Sequence, residues 1–211
     1  NDVMAHLDCF SNFAKTQNES LSDLRFSANI DPFAPDAARS LLDDGLEYLA
    51  ETNADNTPFG LFRTNGWVWH NRGMTTVQEL AFMYASLVEI MRGGMARGLD
   101  LSDLASRLSA SLALPADLFD GIAKCRALRR GWGGIVSALG LEPDAHRLFL
   151  QGAVSVRMFS LADDEVNMLR TTTALLGGAI GGADQLSAHA HDCLGGSSAA
   201  GRRLARMQQH L

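Results

Sequence analysis

The chain has 211 residues, 46% of them hydrophobic and 20% charged, which suffices for a sizeable buried core and argues against disorder, so one globular domain or part of one is expected. Asp and Glu outnumber Lys and Arg by 24 to 18, for a formal charge of −6, a poor footprint for a nucleic-acid binder. No apolar run approaches the roughly 20 residues needed to cross a bilayer, no basic n-region opens the chain, and the three cysteines, Cys9, Cys125 and Cys193, show no paired spacing; free thiols in a reducing, cytoplasmic setting are expected.

In chain order, Val3, Met4, Leu7, Phe10 and Phe13 recur at helical spacing and lead into the polar run Lys15 to Ser20. Leu24 to Ile30 reads as a strand closed by Asp31-Pro32. Asp36 is placed to cap a helix with Ala37, Leu41, Leu42, Leu46 and Leu49 on one side, and Asn53 to Pro58 reads as a loop. Phe62 to Trp69, rich in β-formers, reads as the second strand, broken by Asn71-Arg72-Gly73. Thr76 and Glu79 have the spacing of a capping box, and Val77, Leu80, Ala81, Tyr84, Leu87, Val88 and Met91 predict one apolar helical face. Further on, the patterns give a short helix over 99–108, a possible strand over 109–114 and a helix over 118–139. In that last helix Gly131, Gly133 and Gly134 suggest close packing against a neighbour, since each costs about 1 kcal/mol relative to Ala. A strand over 147–155, a helix over 166–180, a strand over 185–190 and a helix over 198–211 complete the series.

About five strand–helix repeats point to an α/β fold of parallel strands with covering helices. Five units are too few to close an eight-stranded barrel. Either the sheet is open, or it is the last five-eighths of a barrel whose edges need covering by another segment or chain. The chain opens on Asn1 rather than Met, as a piece of a longer protein would.

Few motifs carry chemistry on their own. His189-Ala190-His191-Asp192-Cys193 has metal-like letters, but no second cluster supplies further ligands, and no metal is expected. Asp144-Ala145-His146 begins like the cobalamin signature DxHxxG, with Phe149 in place of its glycine. Glycines at 177–178, 181–182 and 195–196 form neither GxGxxG nor a P-loop and are read as turns and close helix–sheet packing; no GxSxG elbow is present. The arginines at 126, 129 and 130, and at 202, 203 and 206, are read as solvated helix faces. Trp67, Trp69 and His70 form a polar-aromatic group whose simplest reading is core packing around a satisfied histidine.

Four stretches nevertheless resemble the adenosylcobalamin-dependent acyl-CoA mutases, the methylmalonyl-CoA mutase family. They are TTVQELAFMYASLVEIMRGGMARGLDLSDLASRLS (75–109), IAKCRALRRGWGGIV (122–136), EVNMLRTTTALLGGAIGGADQLSAHAHD (165–192) and SSAAGRRLARMQQHL (197–211). IAKxRAxRxxW is the most specific. The resemblance covers 59–211 well and 1–58 weakly, and it implies the C-terminal part of a TIM barrel that binds acyl-CoA along its axis. Where catalytic chains of the family carry GYHMQEAG, this chain reads Gly66-Trp67-Val68-Trp69-His70-Asn71-Arg72-Gly73, which puts Val68 at the catalytic histidine's position. Valine cannot donate a hydrogen bond to a thioester carbonyl. Trp69-His70-Asn71-Arg72-Gly73 is more similar to the YHNAG-like stretch of the family's non-catalytic small subunit. FLQGAVSVR (149–157) likewise replaces the polar RTHSQTSGW wall.

The resemblance therefore implies a silent small-subunit barrel segment with no catalytic residue and no cobalamin domain of its own. Adenosylcobalamin would be carried by a catalytic partner chain that isomerises methylmalonyl-CoA and succinyl-CoA. A missing N-terminal half of the barrel is the other partner implied. The alternative is an active acyl-CoA-binding component that borrows its cobalamin domain, with Trp67, His70, Asn71, Gln151, Ser155 and Arg157 as candidate substrate-binding residues. An α/β binding module unrelated to mutases is a third reading.

Overall fold

The computed structural model describes residues 27–51 and 60–210, together with Cys9, Asn12, Phe13 and Thr16. The expected helix over 1–15, residues 24–26 of the first strand, the loop 53–58 and Leu211 lie wholly or largely outside the described residues. Five strands, β1 (Ser27–Ile30), β2 (Gly60–Asn65), β3 (Leu108–Leu114), β4 (Phe149–Val154) and β5 (Gln185–Ser187), form one sheet in the order β1-β2-β3-β4-β5. The β1–β2 pair is parallel with Ser27 opposite Gly60, and β4–β5 is parallel with Gln151 opposite Gln185. Helices intervene between strands: α1 (Leu41–Glu51), α2 (Gly66–Asn71), α3 (Thr76–Ala96), α4 (Leu101–Ser106), α5 (Leu118–Ala138), α6 (Val166–Gly181) and, after β5, α7 (Ala199–Met207). Parallel strands in chain order, each reached through a helical crossover, are the α/β arrangement expected of a (β/α)8-barrel segment. Among the described residues no helix is long and apolar enough to cross a membrane.

By internal packing the chain divides into two compact units. One holds Asn1–Asn65, Met83–Ala110 and Trp132–Leu148; the other holds Gly66–Phe82, Ser111–Gly131 and Phe149–Leu211. In the first, Leu46 and Phe62 are fully buried. Gly45 lets the Phe62 ring lie against α1, because a Cβ there would stand 2.6 Å from the ring. In the second, Leu114 and Leu186 pack against α6 at Gly178, where a Cβ would meet both side chains at 2.7 Å. Gly178→Ala is therefore expected to lower stability by roughly 1–3 kcal/mol through overpacking, measurable as a reduced urea midpoint. Every residue of β3 is buried, which explains why SASLAL alternates so poorly: a strand covered on both faces has no polar side.

Several elements depart from their sequence pattern. β2 ends at Asn65, and Gly66–Asn71 is helical rather than strand. Local β propensity is overridden there by two anchors. Trp67 Nε1 donates to the Val154 carbonyl at 2.9 Å, and Asn71 Nδ2 donates back to the Trp67 carbonyl at 2.8 Å. α1 begins at Leu41, not after Asp36, because residues 31–41 turn on themselves through Ala34 N–Asp31 O, Ala37 N–Ala34 O and Leu41 N–Ala38 O bonds.

The capping box is made by Thr75 and Gln78, one residue earlier than Thr76 and Glu79. Gln78 N donates to Thr75 Oγ1 at 3.3 Å and Thr75 N to Gln78 Oε1 at 2.9 Å. Thr75→Ala is expected to cost about 1 kcal/mol, read by thermal melting. Thr76 Oγ1 instead donates to Asp120 Oδ2 at 3.0 Å. The buried face of α3 runs through Glu79, Met83, Ser86, Leu87, Ile90 and Met91, while Val77 is 75% exposed; only Leu87 and Met91 of the expected stripe are fully buried. In α5, a Cβ on Gly134 would meet nothing within 4 Å and one on Gly133 only Pro143 at 3.8 Å, so those glycines do not mark tight packing. β5 stops at Ser187, leaving His189 and His191 in the following loop.

Candidate functional site

The expected site residues all lie in the second unit. Trp67, Val68, His70 and Asn71 sit on α2, Gln151 on β4 in register with Gln185, and Ser155 and Arg157 in the turn that follows β4. Val68 is half-buried.

A chain of buried polar groups links α2 to its surroundings. His70 Nδ1 lies 2.9 Å from Glu79 Oε2, and His70 Nε2 lies 3.1 Å from Ser155 Oγ. Glu79 Oε2 also meets Lys124 Nζ at 2.5 Å, and its Oε1 accepts from Ala113 N at 2.9 Å. Lys124 Nζ donates in addition to the Ala113 carbonyl at 2.6 Å. Glu79 is 0% and Lys124 1% exposed. Burial alone pushes the Glu79 carboxyl up, but the His70 hydrogen bond and the Lys124 ammonium outweigh it, holding the group below its usual range.

A carboxylate only accepts, so a neutral His70 ring facing Glu79 would carry its proton on Nδ1. In the neutral ring Nε2 is then the acceptor for the Ser155 hydroxyl. Hydroxyl, imidazole and carboxylate thus stand in the order of a nucleophilic triad. Three features oppose that chemistry. Ser155 is 1% exposed. Lys124 draws on the same carboxylate that would orient an imidazolium. The amides that follow the serine, Val156 N and Arg157 N, already donate to Asn71 Oδ1 at 3.1 and 3.2 Å, so they are not free to serve an oxyanion. A fluorophosphonate probe is expected to leave Ser155 unlabelled; a Ser155 adduct in peptide mass spectra would reverse this reading.

The remaining expected residues extend the same scaffold. Arg157 Nη1 donates to the His70 and Met74 carbonyls at 2.8 and 2.9 Å, closing the turn after β4 onto the end of α2. Trp67 stacks on His189, with centroids 5.5 Å apart. Trp69 packs at 5.2 Å from Phe82 and carries the Arg72 guanidinium 5.8 Å from its ring centre. Sequence reasoning singled out neither Lys124 nor the inward turn of Glu79. Their signal was an opposite-sign charge within the buried spacing of each helix: 79, 83, 86, 87, 90 on α3 and 121, 124, 125, 128, 132 on α5.

Among the described residues no group of three metal-ligating side chains is assembled. His146, the histidine of the cobalamin-like letters, has Nε2 at 3.3 Å from Ser102 Oγ, and its carbonyl accepts from Trp132 Nε1 at 2.7 Å. It is a packed residue of the first unit rather than a ring presented to a cobalt ion, and Phe149 stands where the signature needs its glycine. These residues do not fit a cobalamin ligand.

Residues 14–211 match the family model for methylmalonyl-CoA mutase. The chain is 37% identical over 153 residues to the probable methylmalonyl-CoA mutase small subunit of Mycobacterium tuberculosis, covering 70% of this chain and 25% of the relative. It is 37% identical over 139 residues to the methylmalonyl-CoA mutase small subunit of Streptomyces virginiae, covering 65% and 22%. To the methylmalonyl-CoA mutase of Escherichia coli K12 it is 31% identical over 166 residues, covering 77% and 23%. The aligned part thus spans about a quarter of the length of these relatives.

Proposed function

Because the chain belongs to the methylmalonyl-CoA mutase family, we propose that it is a barrel segment of the small-subunit type, catalytically silent, which assembles with a catalytic chain. That partner carries adenosylcobalamin and interconverts methylmalonyl-CoA and succinyl-CoA in the cytoplasm. The whole described sequence acts as one partial TIM-barrel domain, with strands of the same barrel completed by other polypeptide.

The observation that carries this reading is the commitment of His70. Nε2 is at hydrogen-bond distance from Ser155 Oγ and Nδ1 is in ion-pair contact with Glu79 Oε2, and Val68 offers no hydrogen bond in its stead. Asn71, Trp67 and Arg157 are likewise engaged with backbone groups. Polar groups that already satisfy one another have no net gain from a thioester or a pantetheine chain, so they support scaffolding over acyl-CoA recognition.

The test is turnover of methylmalonyl-CoA to succinyl-CoA with adenosylcobalamin added. The chain alone is expected to give no product, and native mass spectrometry from its own cells is expected to show it bound to a larger, cobalamin-carrying chain. Product formed by the purified chain alone would overturn the silent-subunit reading.

A further inference from the structure

Arg202, Arg203 and Arg206 of α7 are exposed, as expected of a solvated face. A cavity of about 430 Å³ opens between the loop after β5 and α7, and His189, Ser197, Arg202, Arg206 and Gln209 line it. Arg202 and Arg206 stand four residues apart, so their like charges share one side of the helix, which is unfavourable in the absence of an anion. Arg203 adds a third positive charge to α7, and the helix has no acidic residue in its first turn. Arg202 Nη1 donates to the Ser197 carbonyl, which leaves its charge unneutralised. Arg206 has no ion-pair partner among the described residues.

The nearby acid, Asp192, faces the start of α7 and is not among the side chains that line the cavity. Asp192 Oδ2 accepts from Ser198 N at 2.9 Å, and its carboxylate lies against Gly201, where a Cβ would stand 2.2 Å from Oδ1. Gly201 N in turn donates to Ser198 Oγ at 2.9 Å. These bonds occupy the start of the helix, so the cavity's attraction for an anion comes from side chains. His189 is held in place by its stack on Trp67, whose indole N–H is fixed to the Val154 carbonyl. Burial lowers the His189 pKa, so near neutral pH the ring offers a hydrogen bond rather than a charge.

We propose that this cavity binds a phosphoryl group, held by Arg202 and Arg206 with His189 and Ser197 as neutral hydrogen-bonding partners. Two guanidinium forks suit an anion with three terminal oxygens better than a single carboxylate, which one fork saturates. The volume exceeds that of free phosphate and leaves room for the organic part of a monoester. This site is independent of the silent-subunit reading, since it involves neither Val68 nor the Glu79 network.

The test is calorimetric titration of the 211-residue chain at pH 7.5 and constant ionic strength, with inorganic phosphate and with phenyl phosphate. Saturable binding with a Kd of about 1 mM or tighter is expected. Arg206→Gln and Arg202→Gln are each expected to weaken it roughly tenfold or more, with unchanged thermal unfolding in the absence of ligand. Arg130→Gln, an exposed position on α5, is expected to change nothing. Tighter binding of phenyl phosphate would assign the cavity to an ester, and equal binding to free phosphate; either upholds the proposal. No saturable heat from either probe up to about 20 mM, or an equal loss in Arg130→Gln, would sink it.

Discussion

Lys124→Met is expected to lower the unfolding free energy of the chain by about 3–5 kcal/mol, because it removes the ammonium from a carboxylate that has no access to water. Glu79 keeps its bonds to His70 and Ala113 N in that variant but loses its counter-charge. Glu79→Leu alone is expected to be similarly damaging, since it strands Lys124 at 1% exposure. The double variant Lys124→Met/Glu79→Leu is expected to recover most of the loss, as apolar pairs of similar volume commonly do. Urea unfolding of the four proteins completes the cycle; a double variant as unstable as the sum of the singles would show that the two charges act separately.

The same pair sets a pH dependence whose sign follows from Glu79. Its folded pKa lies below the ordinary value of 4.5. The stabilisation is therefore complete above the unfolded pKa, including at neutral pH, and is lost as pH falls through the folded value. Wild type is expected to lose stability on acidification below about pH 4.5, and Glu79→Gln is expected to show a flatter acid limb in the same range.

Trp132→Ala is expected to cost about 3–5 kcal/mol. Trp132 is 1% exposed, the largest fully buried side chain of the core, and its Nε1 donates to the His146 carbonyl at 2.7 Å. Truncation would open a cavity and strand that carbonyl. Trp132→Phe keeps much of the ring volume and is expected to cost less, with about 1 kcal/mol attributable to the lost hydrogen bond. If Phe proved as damaging as Ala, the hydrogen bond rather than the volume would be the dominant contribution. Lys124 and Trp132 both belong to the stretch IAKCRALRRGW. In this structure Lys124 ties α5 to Glu79, and Trp132 ties it to the His146 carbonyl.

Much of the architecture was legible beforehand. The helices expected over 99–108, 118–139 and 166–180 stand at 101–106, 118–138 and 166–181, and the strands expected over 109–114 and 147–155 stand at 108–114 and 149–154. Gly182, at φ 85°, ends α6 where the glycine pattern suggests a stop. The family, too, was written in the order of residues along these helices, because a motif such as IAKxRAxRxxW needs no coordinates to be recognised.

What the sequence could not decide is which side of each element faces inward and how the polar residues pair. Apolar periodicity placed Val77 inside and overlooked Glu79, because a carboxylate counts as a surface residue until a histidine, a lysine and a backbone amide from distant positions surround it. The helix at 66–71 hides within a β-forming string, since the bond from Trp67 to Val154 that anchors it spans 87 residues. Local propensity, spacing and family are properties of neighbours in the chain and can be read from it. Burial of a charge is a property of neighbours in space, and only the tertiary structure turned His70, Ser155, Glu79 and Lys124 from scattered polar residues into one locked network.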